Sequence, residues 1–221
     1  MSRHILMIVT STDRMPSGKP TGLWLEEFAV PYLVFKKAGY EITVASPKGG
    51  NTPIDPRSSE DAKSHPDWAA ASEVLKTTQK LDDSFRAKDF DALFFPGGHG
   101  PVFDLPGNAL TGKLLLEFDA AGKVLAAVCH GPVGFIGPVR PDGKPLVAGR
   151  RMTAFSDNEE RTVGLDKDVP FLLESKLREL GAQVQTAANF TAHAIRDGKF
   201  ITGQNPASSK RIAELVVEAL S

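Results

Sequence analysis

The sequence predicts an α/β fold, a parallel sheet sandwiched by helices on both faces, built as a single domain over 1–221 with a small inserted cap. Two observations carry this reading. Four short apolar runs, Ile5 to Val9, Ile42 to Ala45, Ala92 to Phe95 and Val124 to Val128, have the composition of buried strands. Stretches with apolar residues at helical spacing alternate with them, as crossover helices alternate with parallel strands. At 221 residues the chain is long enough to bury one sizeable core.

Taken in order, Ile5 to Val9 is the first strand and Ile42 to Ala45 the second. The segment 49–81, rich in Pro, Ser, Asp and Lys with Trp68 in a short helix, departs from the alternation and reads as the inserted cap. The strand Ala92 to Phe95 runs into the glycine turn PGGHG. Leu110, Leu114, Leu115 and Phe118 then mark a helix closed by Gly122, and Val124 to Val128 the next strand. Between Pro138 and Thr153, Asp142-Gly143 predicts a hairpin between short strands. Phe171, Leu173, Leu177 and Leu180 predict a helix closed by Gly181, and Asp197-Gly198 a hairpin between Ala194 and Thr202.

Lys and Arg number 26 against 27 Asp and Glu, a net charge of −1, with no long run of one sign. That balance recruits neither nucleic acid nor acidic lipid. The apolar run near the N-terminus is too short for a signal-peptide core or a membrane span, so a cytoplasmic protein is expected. One cysteine, Cys129, cannot form an internal disulfide.

VLAAVCHGPVGF places Cys129 at a strand end, before His130, Gly131 and the expected start of a helix. This has the form of a nucleophile elbow. A helix N-terminus there would favour the thiolate and lower the thiol pKa, and the amides of Cys129 and His130 would hold an oxyanion. The bland alternative is a buried small apolar residue. The second turn, Pro96 to Gly100, is a plain tight loop or, beside the elbow, the source of an oxyanion donor at Gly98, with His99 lining the pocket. Its glycines do not continue into a dinucleotide fingerprint, because Phe103 stands where the third glycine would fall.

Glu26 and Glu27 sit in the otherwise apolar TGLWLEEFAVPYLVF, where a carboxylate needs a partner. Glu159 and Glu160 are the other candidate acids. His4, His65, His99 and His193 lack metal-ligand spacing, so neither a metal nor another cofactor is expected. Trp24, Trp68 and Phe155 are expected to line the pocket.

Six motifs occur in one order: TGLWLEE, ASPKGG, PGGHGPVFDLP, AAVCHGP, TAFSDNEE and TGQNPASS. On these the chain resembles the ThiJ/PfpI superfamily, within the class I glutamine-amidotransferase-like, flavodoxin-like fold. It is most similar to the branch of glutathione-independent glyoxalases (glyoxalase III) and chaperone-deglycases. The resemblance implies Cys129 as nucleophile, His130 as its partner and Glu27 as the buried acid beside the sulfur, with Glu26 a surface neighbour. It places the acid that orients the histidine at Glu160, with Glu159 one residue away. It further implies a 2-oxoaldehyde such as methylglyoxal as substrate, a hemithioacetal on Cys129, glycine-turn amides at the oxyanion, and a homodimer.

Rival readings are a PfpI-like cysteine peptidase, which a cap would obstruct, and a non-enzymatic stress chaperone or redox sensor using the same thiol. Glutamine amidotransfer would need H-x-E, and His193 is followed by Ala194 and Ile195.

Overall fold

The computed structural model describes residues 2–221, the side chains at 61 and 62 excepted. The strands are β1 (His4–Ile8), β2 (Glu41–Ser46), β3 (Gln79–Lys80), β4 (Ala92–Phe95), β5 (Val124–Val128), β6 (Arg151–Met152), β7 (Gln183–Val184), β8 (Ala194–Asp197) and β9 (Phe200–Gly203). The α-helices are α1 (Leu25–Lys37), α2 (Pro56–Ser59), α3 (Ala69–Val74), α4 (Pro101–Asp104), α5 (Ala109–Ala120), α6 (Asp157–Val163), α7 (Leu173–Glu179) and α8 (Ser209–Leu220). Seven strands make one sheet in the order β3-β2-β1-β4-β5-β9-β8, parallel except for the antiparallel pair β8–β9.

The period-two alternation of strands sorts the apolar runs into two cores. Ile5, Met7, Phe94, Ala126 and Val128 face α1 and α8, whereas Leu6, Ile8, Leu93, Phe95 and Ala127 face α5 and α7 through Leu114, Phe118 and Leu177. Burial on both faces is why β1, β4 and β5 read as unbroken apolar runs. Asn108 caps α5 by accepting from the amides of Leu110 and Thr111 at 3.1 Å. The helix ends where Gly122 takes φ 62°. The chain leaves β1 toward β2 and later returns to β4 on the other side, opening a crevice at the carboxyl ends of β1 and β4.

The Asp197-Gly198 hairpin forms between β8 and β9. The Asp142-Gly143 turn also forms, with the Arg140 amide donating to the Lys144 carbonyl at 2.8 Å, but a single bridge between Val139 and Pro145 replaces the expected strands. Pro138, Pro141 and Pro145 deprive that stretch of ladder donors. Arg151 and Met152 pair instead with Gln183 and Val184, in parallel. Within 49–81, Trp68, Ala71 and Leu75 pack into the core on the α1 side, and the end of the segment joins the sheet as edge strand β3. No helix among the described residues is long and apolar enough to cross a membrane.

Candidate active site

Strand β5 delivers Cys129 to the crevice with φ 59°, a left-handed backbone that a non-glycine residue adopts only when its surroundings impose it. The surroundings do so. The Cys129 amide donates to the Gly203 carbonyl and its own carbonyl accepts from the Phe155 amide, both at 2.9 Å. Immediately beyond, a Cβ on Gly131 would stand 2.2 Å from the Phe95 carbonyl oxygen, so only glycine permits this turn.

Two expectations for the elbow change here. The segment after His130 is a five-residue 3-10 turn, Gly131–Phe135, not an α-helix, so the thiol gains little from a helix dipole. The Cys129 amide is spent on Gly203 and so is not open to an oxyanion, whereas the Gly98 amide points at the sulfur.

His130 lies with Nδ1 3.4 Å from the Cys129 sulfur and Nε2 2.6 Å from Glu160 Oε2. With Nε2–H donated to Glu160, the Nδ1 lone pair faces the thiol. Glu160 comes from the first turn of α6. Glu159, its neighbour, faces away: it completes a capping box with Ser156 and accepts from the Phe190 amide and Asn205 Nδ2, each at 2.8 Å. On the other side of the sulfur, Glu27 is fully buried in the first turn of α1 and accepts from the Gly97 amide at 2.9 Å through Oε2. Its Oε1 has no oxygen or nitrogen partner among the described residues, and the group it meets is the Cys129 sulfur. Glu26 is partly exposed.

His99 lines the pocket, and both of its ring nitrogens are engaged. Nε2 lies 2.8 Å from Glu160 Oε1, and Nδ1 accepts from Arg57 Nη2 at 3.1 Å. Arg57 in turn is held by Asp55 through two bonds, at 2.9 and 2.6 Å. Sequence reasoning missed Arg57 and Asp55. The signal for Asp55 was a helix N-cap ahead of Pro56, but no spacing tells that Arg57 reaches residue 99.

Trp24 and Phe155 line a cavity of about 300 Å³ above Cys129, together with Arg57, Gly98 and His99. Trp68 does not: it stacks on His65 at 4.2 Å, away from the site.

A family model described as DJ-1/PfpI matches residues 22–219. The chain belongs to the DJ-1/PfpI family. A glutathione-independent glyoxalase of Schizosaccharomyces pombe is 32% identical over 92% of this chain and 89% of its own length. A protein/nucleic acid deglycase HchA of Pseudomonas aeruginosa is 28% identical over 99% of this chain and 81% of its own. The crystal structure of glyoxalase III from Candida albicans superposes with a TM-score of 0.86 at 30% identity, covering 98% of this chain and 97% of that one.

The electrostatics of this DJ-1/PfpI site follow from its dryness. Burial lifts Glu27 well above the usual carboxylate range and favours its protonated form. Burial first, and then the Glu27 charge, push the Cys129 thiol up, opposite to the acidified thiol expected from a helix N-terminus. Once Glu27 holds a proton its repulsion disappears, and its O–H becomes a donor to a sulfur anion. Glu160 is also desolvated, yet His130 and then the bond from His99 outweigh that and hold it well below the usual range. His99 is pushed down to about 4 by burial and by His130, and is therefore neutral at pH 7. Ligand atoms of His99, His130 and Glu160 lie within 4.8 Å of one another, a set that could hold a metal ion. Both histidines direct Nε2 at Glu160, so a metal would have to displace those hydrogen bonds.

Proposed function

We propose that this protein is a glutathione-independent glyoxalase that converts methylglyoxal and related 2-oxoaldehydes to 2-hydroxy acids on Cys129. The observation that carries the reading is the position of one sulfur between a histidine backed by Glu160 and the buried Glu27. As Sγ adds to the aldehyde carbon, its proton passes to His130 Nδ1, and the new oxyanion meets the amides of Gly98 and His130. His130 gives that proton to the oxyanion, completing the hemithioacetal, and then, as a free base, takes the proton from the former aldehyde carbon to give an enediol. His130, assisted by Glu27, returns a proton to the neighbouring carbon. The product of that transfer is a 2-hydroxy thioester. Water cleaves it to lactate and restores the thiol, so the reaction consumes one water and no external reductant or oxidant.

A redox-sensor role fits less well, since Cys129 is 4% exposed and burial raises its thiol pKa. Protein deglycation starts from the same thiolate chemistry, and the HchA relative keeps it within this reading. A cytoplasmic homodimer completes the proposal on family likeness. The test is lactate formation from methylglyoxal without glutathione. Turnover by the wild type is expected, with Cys129→Ser lowering it by roughly three orders of magnitude or more and Glu27→Gln by roughly 10²-fold or more. An inactive wild type with its thiol reduced would overturn the reading.

A further inference from the structure

Three large apolar side chains are notably exposed among the described residues, Val139, Val163 and Phe190, and the last two stand at the mouth of the Cys129 cavity. Phe190 is the more telling. It is 46% exposed and has φ 58°, a strained backbone for an L residue. That conformation is imposed: its amide donates to Glu159 Oε1, and the same oxygen accepts from Asn205, which also donates to the Thr191 carbonyl at 2.8 Å. Strain spent to hold an aromatic ring in water gains nothing for the core. Opposite stands Phe155, its ring centroid 6.4 Å from that of Phe190, and Trp24 forms a further aromatic wall.

The cavity lining is therefore of two kinds. Cys129, the Gly98 amide, His99 and Arg57 are polar, and Trp24, Phe155, Val163 and Phe190 supply apolar surface. Size points the same way. At the roughly 30 Å³ that a water molecule occupies in the liquid, the five heavy atoms of methylglyoxal fill only about half of the 300 Å³ available. We infer that the mouth around Phe190 is a binding site for the side group of the substrate, and that this group is an aromatic ring or a comparably bulky apolar chain. The natural substrate class is then an arylglyoxal or long-chain 2-oxoaldehyde. This rests on the glyoxalase reading only for the reactive end. The balanced reaction is addition of one water to the 2-oxoaldehyde, as for methylglyoxal, giving mandelate from phenylglyoxal.

Two measurements on the full chain decide the matter. The first compares kcat/KM for phenylglyoxal and methylglyoxal in wild type and in Phe190→Gly, which removes the ring while relieving the backbone strain. The ratio of the two is expected to favour phenylglyoxal in wild type and to fall roughly tenfold in the variant. The second is calorimetric binding of mandelate and lactate to Cys129→Ser, with and without Phe190→Gly. Mandelate is expected to bind roughly tenfold tighter than lactate, and to lose that advantage without the ring. If no aldehyde is turned over but the mandelate preference holds, the mouth inference stands and the glyoxalase reading fails. Equal affinity for the two acids, or a turnover ratio unmoved by loss of the ring, overturns the inference.

Discussion

Glu159 and Glu160 are adjacent in sequence, both buried in the first turn of α6, and about 100° apart around its axis. That rotation separates their work. Glu160 meets His130 and His99, while Glu159 gathers the amides of Ser156 and Phe190, the Ser156 hydroxyl and the Asn205 amide. Replacing Glu160 by Gln is therefore expected to leave the urea midpoint near wild type while kcat for the aldehyde falls roughly 10²- to 10⁴-fold, because the histidine loses its tautomer and orientation. Glu159→Ala strands several buried donors and is expected to cost about 2–4 kcal/mol of stability. The family resemblance implied Glu160 as the acid that orients the histidine, with Glu159 one residue away, and left the choice between them to register. Arg57 was illegible for a different reason: its partner His99 is 42 residues away, and nothing local to 49–81 marks that contact.

At the scale of elements, the turn after β5 packs against the end of β4. Gly131 leaves no room for a methyl group against the Phe95 carbonyl, a backbone atom that cannot swing away. Gly131→Ala is expected to destabilise by about 2–4 kcal/mol and to disturb the Cys129 turn. Gly112, inside α5, is the control. A Cβ there would meet nothing nearer than Pro138 Cγ at 3.5 Å, so Gly112→Ala is expected to stabilise by about 0.5–1 kcal/mol. Opposite shifts of the urea midpoint check both signs. The strands β1, β4 and β5 were legible because burial on both faces leaves an unbroken apolar run. The pair β6–β7 was not, since two-residue strands carry no periodicity and their partner lies about 30 residues on. Trp68 was misplaced at the pocket because composition shows that a Trp seeks cover, not which face of α1 supplies it.

For the whole molecule, several buried titratable groups make stability depend on pH, and two of them pull in opposite directions. His99 is depressed to about 4, so its contribution is present above the unfolded value near 6.5 and is lost as the pH falls toward 4. Asp104 behaves the other way. It ends α4 and ties it to the loop after β1, accepting from the Thr10 hydroxyl at 3.0 Å and from the Ser11 amide at 2.6 Å. Burial outweighs those bonds and raises it from 3.8 to about 6. The folded state thus holds a proton that the unfolded chain releases, and the stabilisation this gives is present below about 4 and lost as the pH rises to about 6. Asp104→Asn removes the titration while keeping an oxygen to accept one of the bonds. Urea unfolding at pH 4.5 and pH 7 is the check. Relative to wild type, the variant is expected to shift its balance toward pH 7 by on the order of 2 kcal/mol, since it forfeits the acid-side gain and escapes the neutral-side penalty. An identical pH 4.5 to pH 7 difference in both proteins would mean that Asp104 is not raised, and that its bonds to Thr10 and Ser11 at least offset its desolvation.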